Sequence, residues 1–170
     1  MSRILFICLS LLIFGSVTNA VYDCTKDGIG ELNDVVVEGC DEDQDQCEVE
    51  LGQDVNISIT FTTKALIKTA CAKVEANVMG LKVDVKKEPE KICENENSGV
   101  KCPLNQGLIF TYKGTAKVPN LELLKTVGEA DVYWRLMRED EKSEERKRRE
   151  AGTPPTTEIV CVQIPVKIKK

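Results

Sequence analysis

Apolar residues recur at every second position through most of this chain, the spacing that lays side chains along one face of an extended strand. The longest such run closes the chain, where Val160, Val162, Ile164, Val166 and Ile168 alternate within the stretch from Thr157 to Ile168. Cys161 falls on the opposite face, from which it can reach a cysteine remote in sequence, Cys24 being the best candidate. Pro165 cannot donate a ladder hydrogen bond, so the strand is expected to lie at a sheet edge or to carry a bulge. Upstream, Val55, Ile57, Ile59 and Phe61 alternate with Asn56, Ser58, Thr60 and Thr62. Val74, Ala76 and Val78 alternate with Lys73, Glu75 and Asn77; Gly80 interrupts, and Leu81, Val83 and Val85 resume against Lys82, Asp84 and Lys86. Shorter pieces are Val35 to Glu38, Val49 with Leu51, the Leu108, Phe110, Tyr112 series, and the Val132, Trp134, Leu136 series. Seven or eight short strands with turn signals between them predict an all-β fold. Two one-faced antiparallel sheets then bury their apolar sides against each other as a sandwich.

Two segments depart from the period of two. Asn120 to Thr126 carries Leu121, Leu123 and Leu124 and fits an extended piece or a short helical turn. From Arg138 to Glu150, twelve of 13 residues are charged, six of each sign, and Gly152, Pro154 and Pro155 follow. Such charge density belongs in water, so a charged loop insertion is expected at about 138–156, joining the Trp134 strand to the final one.

The first 20 residues read as a secretory signal peptide: Arg3, an 11-residue apolar run from Ile4 to Phe14 broken only by Ser10, then Thr18 and Ala20 before the cut. The run is shorter than the roughly 20 residues a spanning helix needs. Residues 21–170 are then expected to form one domain. Losing Arg3 leaves 22 basic against 28 acidic residues, a net charge of −6, which argues against a nucleic-acid partner. Histidine is absent, which removes the commonest general base and the commonest zinc ligand. Neither enzymatic activity nor a metal or other cofactor is expected.

Cys8 leaves with the signal peptide, and seven cysteines remain. Spacing suggests local staples at Cys40 with Cys47 and at Cys93 with Cys102, and a long-range pair of Cys24 with Cys161, although spacing alone does not fix connectivity. Zinc ligation lacks any CxxC pair and runs against secretion. Cys71 is the odd one, and burial as a small apolar side chain is the usual state of such a thiol, an intermolecular disulfide being the lesser alternative. Asn56-Ile57-Ser58 is an N-glycosylation acceptor whose asparagine faces away from Val55 and Ile57, towards water. Asp41, Glu42, Asp43 and Asp45 lack the calcium-loop pattern and read as a solvated acidic turn. Arg146-Lys147-Arg148-Arg149 suits a secretory-pathway protease as well as simple solubility.

Taken in order, further stretches carry a resemblance. They are Asp23-Cys24, Val35-Val36-Val37-Glu38-Gly39-Cys40, Cys47-Glu48-Val49-Glu50-Leu51-Gly52, and the glycan acceptor ahead of Thr60-Phe61-Thr62. Next come Val78-Met79-Gly80, the segment from Cys93 to Cys102-Pro103-Leu104, and Tyr112. Val132-Tyr133-Trp134-Arg135-Leu136 and Cys161-Val162-Gln163-Ile164-Pro165-Val166 complete the set. This order and spacing resemble the ML lipid-recognition family, most closely its Niemann–Pick type C2 sterol-carrier branch, over nearly all of residues 21–170. The resemblance implies an immunoglobulin-like sandwich, the disulfides Cys24–Cys161, Cys40–Cys47 and Cys93–Cys102, and sheets that splay at one end to admit a sterol or fatty chain. By position it implies a mouth strand at Leu81, Val83 and Val85. The opposite lip falls at Val118-Pro119-Asn120-Leu121 with Leu124 beside it, and the inner wall draws on Phe61, Val78, Phe110, Tyr112, Val132 and Trp134. Lys82 and Asp84 replace prolines of the family's entrance and Val85 an aromatic residue, so the implied ligand is a sterol or other long-chain lipid rather than cholesterol alone.

The expected function is a secreted carrier, extracellular or lysosomal and monomeric, that holds a lipid between two sheets and passes it without chemistry to a membrane or a transfer partner protein. An accessory recognition protein, presenting a microbial lipid or semiochemical to a receptor, is the alternative from a second class. A plain sandwich with a closed core is the third.

Overall fold

The computed structural model describes residues 21–40, 44–139 and 156–169. The described residues form ten strands: β1 (Tyr22–Asp23), β2 (Gly30–Val37), β3 (Cys47–Val49), β4 (Asp54–Thr63), β5 (Ala70–Val78), β6 (Leu81–Asp84), β7 (Lys87–Glu88), β8 (Ile109–Lys117), β9 (Glu129–Glu139) and β10 (Thr156–Ile168). A one-turn 3-10 helix covers Glu96–Ser98, and a six-residue helix α1 covers Glu122–Val127. One sheet runs β1-β10-β9-β5-β6, with β3 also paired to β10; the other runs β2-β4-β8-β7. All pairings are antiparallel except that of β3 with β10. This is the two-sheet antiparallel sandwich that the alternation predicts. The strands beyond those eight are the two-residue pieces β1 and β7, too short to display a period.

The inner faces follow the sequence pattern. In β4, Ile57, Ile59 and Phe61 are buried, and in β5 Ala70, Ala72, Val74, Ala76 and Val78 are. In β10, Val160, Val162, Ile164, Val166 and Ile168 all point inward. A register shift between Glu158 and Val160 lets Ile159 turn inward as well. The expectation at Pro165 needs correcting in its detail. β10 is covered on its outer side by β1 at Val162 and Gln163 and by β3 from Val166 to Ile168. Pro165 falls in the gap between those two stubs, where a missing N–H costs no pairing on that side. The bulge lies elsewhere in the strand.

Three disulfides tie the sandwich: Cys24–Cys161, Cys40–Cys47 and Cys93–Cys102. The first anchors the segment after β1 to the outer face of β10, reinforced by the backbone bond from Cys24 N to the Cys161 carbonyl at 3.0 Å. The outer face of the larger sheet is polar. Arg135 reaches Glu75 at 2.6 Å and Glu158 at 3.5 Å, and its guanidinium lies 5.2 Å from the Tyr133 ring centre. Arg138 and Glu139 pair with Thr157 and Thr156, extending β9 and β10 into the segment read as insertion. The rest of that segment, with Arg146 to Arg149, lies outside the described residues, as do residues 1–20 and Asp41 to Asp43. Asn120 to Thr126 resolves as the lead-in to α1 and most of its single helical stretch.

Candidate functional site

The two sheets do not close evenly. At the end where β4 starts, β8 finishes, β9 starts and β10 finishes, the inner faces leave a hollow of about 60 Å³. The pairings Val55 with Ala116, Val132 with Ile164, and Ala130 with Val166 set these residues at one level of the sandwich. From the smaller sheet, Val37, Val55, Ile57 and Ala116 face the hollow, and Val118 and Pro119 extend that wall past β8. From the larger sheet come Ala76, Ala130, Val132, Trp134, Ile164, Val166 and Ile168, with Cys47 and Val49 of β3 at the edge. Val85 and Leu124 complete it, and every lining side chain is apolar. Small side chains at Ala76, Ala116 and Ala130 leave the volume unfilled, because a neighbouring strand cannot move in to replace the missing carbons.

The end of the hollow is held lightly. Helix α1 has no side-chain cap at Leu121, and its C-terminus closes on Gly128, whose φ of 79° lets its N–H reach the Leu124 carbonyl at 2.8 Å. Leu124 is its one buried side chain. The β5–β6 turn, three residues beyond Ala76, exposes Met79 and Leu81, and Leu123 of α1 is exposed too.

Val85, Pro119, Leu124, Val132 and Trp134, all taken from the sequence, come together around the hollow. The remaining positions lie outside its lining. Phe61 and Phe110 pack on each other, ring centres 6.2 Å apart, and fill the opposite end of the core. Their pairing sits six residues along β4 from that of Val55, about 20 Å away at strand rise. Val78 is buried on β5 beyond Ala76, Val83 is half-buried opposite Ala76, and Leu121 is half-buried at the start of α1. Tyr112 is fully buried behind Trp134, with ring centres 6.2 Å apart. Of the residues the sequence reading missed, Ile164, Val166 and Ile168 had a signal, since alternation already placed them inward. Val37, Val55 and Ile57 share that signal. Ala76 too was placed inward by alternation, but an inward alanine looks like ordinary core, and Ala116 and Ala130 had no signal at all.

Polar groups near the hollow are few. Trp134 is 2% exposed, and its indole Nε1–H has no acceptor in hydrogen-bonding geometry. The Tyr112 hydroxyl donates to the Pro89 carbonyl at 3.5 Å, the outer limit of a hydrogen bond. Burial pushes its phenol well above the ordinary tyrosine value, only partly offset by the Trp134 indole that faces it, so it stays a donor.

Other sequence-derived positions lie apart from the hollow. Asn56 is exposed, its Nδ2 donating to Glu38 at 2.6 Å and its Oδ1 accepting from Thr115 at 2.7 Å. Cys71 is a free, half-buried thiol, raised above its ordinary value by burial and then by the Glu139 carboxylate. Among the described residues, no group of three or more His, Cys, Asp or Glu is placed to hold a metal ion. No described helix is long and apolar enough to cross a membrane.

Comparison with known proteins places this geometry. The ML domain profile matches residues 18–145. The chain is 32% identical over 117 residues to mite group 2 allergen Der f 2 of Dermatophagoides farinae, covering 68% of this chain and 75% of the allergen. It is 24% identical over 151 residues to NPC intracellular cholesterol transporter 2 of Sus scrofa, covering 86% of this chain and 83% of that protein. A crystal structure of a Niemann-Pick type C2 protein from Japanese carpenter ant superposes with a TM-score of 0.65 at 24% identity, covering 87% of this chain and 98% of that one.

Proposed function

The chain belongs to the ML domain family, and from that premise we propose that it is a lipid carrier that takes one sterol or other long-chain lipid between its two sheets and releases it chemically unchanged. The observation that carries the reading is the hollow at one end of the sandwich, walled by apolar side chains alone. Apolar surface removed from water stabilises a complex by ~25 cal/mol per Å², less the cost of immobilising the guest. The wholly apolar wall supports affinity without restricting the ligand to one head group. The name of the porcine relative, a cholesterol transporter, supports a sterol among the ligands.

At about 60 Å³ the hollow is smaller than the ~300–1,000 Å³ of most ligand pockets. Entry therefore requires the sheets to part at this end. Helix α1, with Leu124 its one buried side chain and Val127 packed part-buried against the core, is the element that gives way. Exposed Met79, Leu81 and Leu123 beside it offer an apolar contact for the membrane or transfer protein that supplies or receives the lipid. Export guided by residues 1–20, glycosylation at exposed Asn56 and monomeric function outside the cytosol, extracellular or lysosomal, belong to the same reading. Three disulfides favour an oxidising compartment. Residues 21–170 are taken as one binding unit.

The test is titration of delipidated protein with dehydroergosterol and with a series of fatty acids. Saturable binding at one molecule per chain is expected for at least one of them. No saturable uptake of either class ends the carrier reading.

A further inference from the structure

We propose that Trp134 is the floor of the binding space and so sets the length of hydrocarbon chain that the carrier prefers. This deepens the carrier reading and rests on it. Three neighbouring strands of the larger sheet border the hollow, and all three stop doing so at one level. On β9 the wall runs from Ala130 to Trp134, on β10 from Ile168 to Ile164, and on β5 it is Ala76. Trp134 pairs with Val162 on one side and Val74 on the other, and neither of these borders the hollow. Both are buried, so the row that contains the indole closes the space across the width of the sheet. The floor is braced from behind. Tyr112 is fully buried, its ring centre 6.2 Å from that of Trp134, and it is seated over Gly114, where a β-carbon has no room. A rigid ring packed on three sides cannot swing away from an incoming chain as a flexible side chain can.

The depth follows from the register. Ala130 and Trp134 are four residues apart on β9, about 13 Å at strand rise. An extended hydrocarbon advances about 1.3 Å per carbon, the projection of a ~1.5 Å tetrahedral bond, so roughly ten carbons reach from the outer row to the floor. Each methylene taken into the space raises affinity by about fourfold. Carbons beyond that number stay at the mouth beside exposed Leu81 and Leu123, where less of their surface leaves water. The apolar end of the chain leads, because the wall is apolar throughout and no lysine or arginine lines it to meet a carboxylate.

Straight-chain fatty acids of increasing length, from octanoic to hexadecanoic acid, are titrated against bound cis-parinaric acid with the wild-type protein and Trp134→Ala. Wild-type affinity is expected to climb about fourfold per added carbon and to level off at about ten to twelve carbons. In the variant the levelling point moves about four carbons longer, because the next obstacle, the Tyr112 ring, is centred 6.2 Å behind. The same levelling point in both proteins, or none in the wild type, overturns this inference and leaves the carrier reading standing. No displacement by any acid overturns it too, and uptake of dehydroergosterol then decides whether the carrier reading falls with it. Trp134 is the chain's single tryptophan, so its emission gives a wild-type arm that does not depend on the variant folding. Bromine quenches an indole on contact. 12-Bromododecanoic acid is expected to quench Trp134 and 2-bromododecanoic acid is not; equal quenching, or stronger quenching by the 2-bromo isomer, overturns the proposal.

Discussion

The Tyr112 hydroxyl occupies the space that a β-carbon on Gly114 would need. A side chain at 114 would overlap that oxygen and come within 2.7 Å of the Trp134 ring. Gly114 faces inward on β8, level with Ile57 across the pairing, so its missing side chain is what lets Tyr112 fold in behind Trp134. Gly114→Ala is expected to push the two rings apart and into the hollow. Stability should fall by about 1–3 kcal/mol, as overpacking usually costs, and lipid affinity should fall with it. Urea unfolding together with a probe titration checks both; an unaltered midpoint would mean that the rings reposition freely.

How much of this was legible beforehand depends on whether a residue's role is local. The inward set on β10 follows from alternation alone, and so does the two-sheet architecture. The hollow's position does not, since it depends on register between strands far apart in sequence. Phe61 and Phe110 look like wall residues because they are large and inward-facing, yet the pairing of β4 with β8 sends them to the far end. Ala76 and Ala116 matter for the volume they omit, which no sequence pattern marks. Pro119 and Leu124 were reached by family resemblance, since their own segments are irregular or barely helical, whereas Val85 also lay in an alternating run. Trp134 borders the hollow, but the contact of its indole with Tyr112 appears only once its neighbours are assembled.

Cys24 and Cys161 close a loop of 137 residues. The entropy such a long link removes from the unfolded chain corresponds to about 4–5 kcal/mol in the loop-closure description. Replacing both cysteines by alanine is expected to lower unfolding free energy by roughly 2–5 kcal/mol while the fold persists, since the β1–β10 pairing and the Cys24 N–H bond to the Cys161 carbonyl do not need the sulfurs. The Cys40–Cys47 pair, separated by seven residues, should cost less when removed. Equal losses for the two pairs would contradict a loop-length origin.

Glu75 sets an acid limit on the larger sheet. Burial works to raise its carboxyl, but the hydrogen bond and charge of Lys73, with Arg135, outweigh burial and hold it below the ordinary glutamate value of 4.5. A carboxylate lowered by folding contributes stability that is fully present above its unfolded value and is lost as pH falls towards its folded one. Stability is therefore expected to begin falling below about pH 4.5. Glu75→Gln should flatten that part of the curve and lower the plateau at neutral pH, because Arg135 then loses its 2.6 Å partner. Urea midpoints from pH 3 to 7 give the comparison, and parallel curves for the two proteins would show that other carboxylates govern the acid limb.

Ala76 separates ligand capacity from folding. It is 3% exposed, lies on the inner face of β5 and borders the hollow. Leucine there adds three carbons that point into unfilled space rather than into a packed neighbour, the reverse of the situation at Gly114. Filling a cavity of about 60 Å³ recovers about 1–1.5 kcal/mol at the usual dependence on void volume. Ala76→Leu is thus expected to leave the urea midpoint unchanged or raise it, while weakening lipid binding at least tenfold. A core that merely happens to be loose would gain the stability without any change in uptake. A closed core with no room would lose stability. Only a hollow that serves as the binding space gives a firmer protein that has lost its ligand, and thermal unfolding beside a dehydroergosterol titration on the same preparation reads both at once.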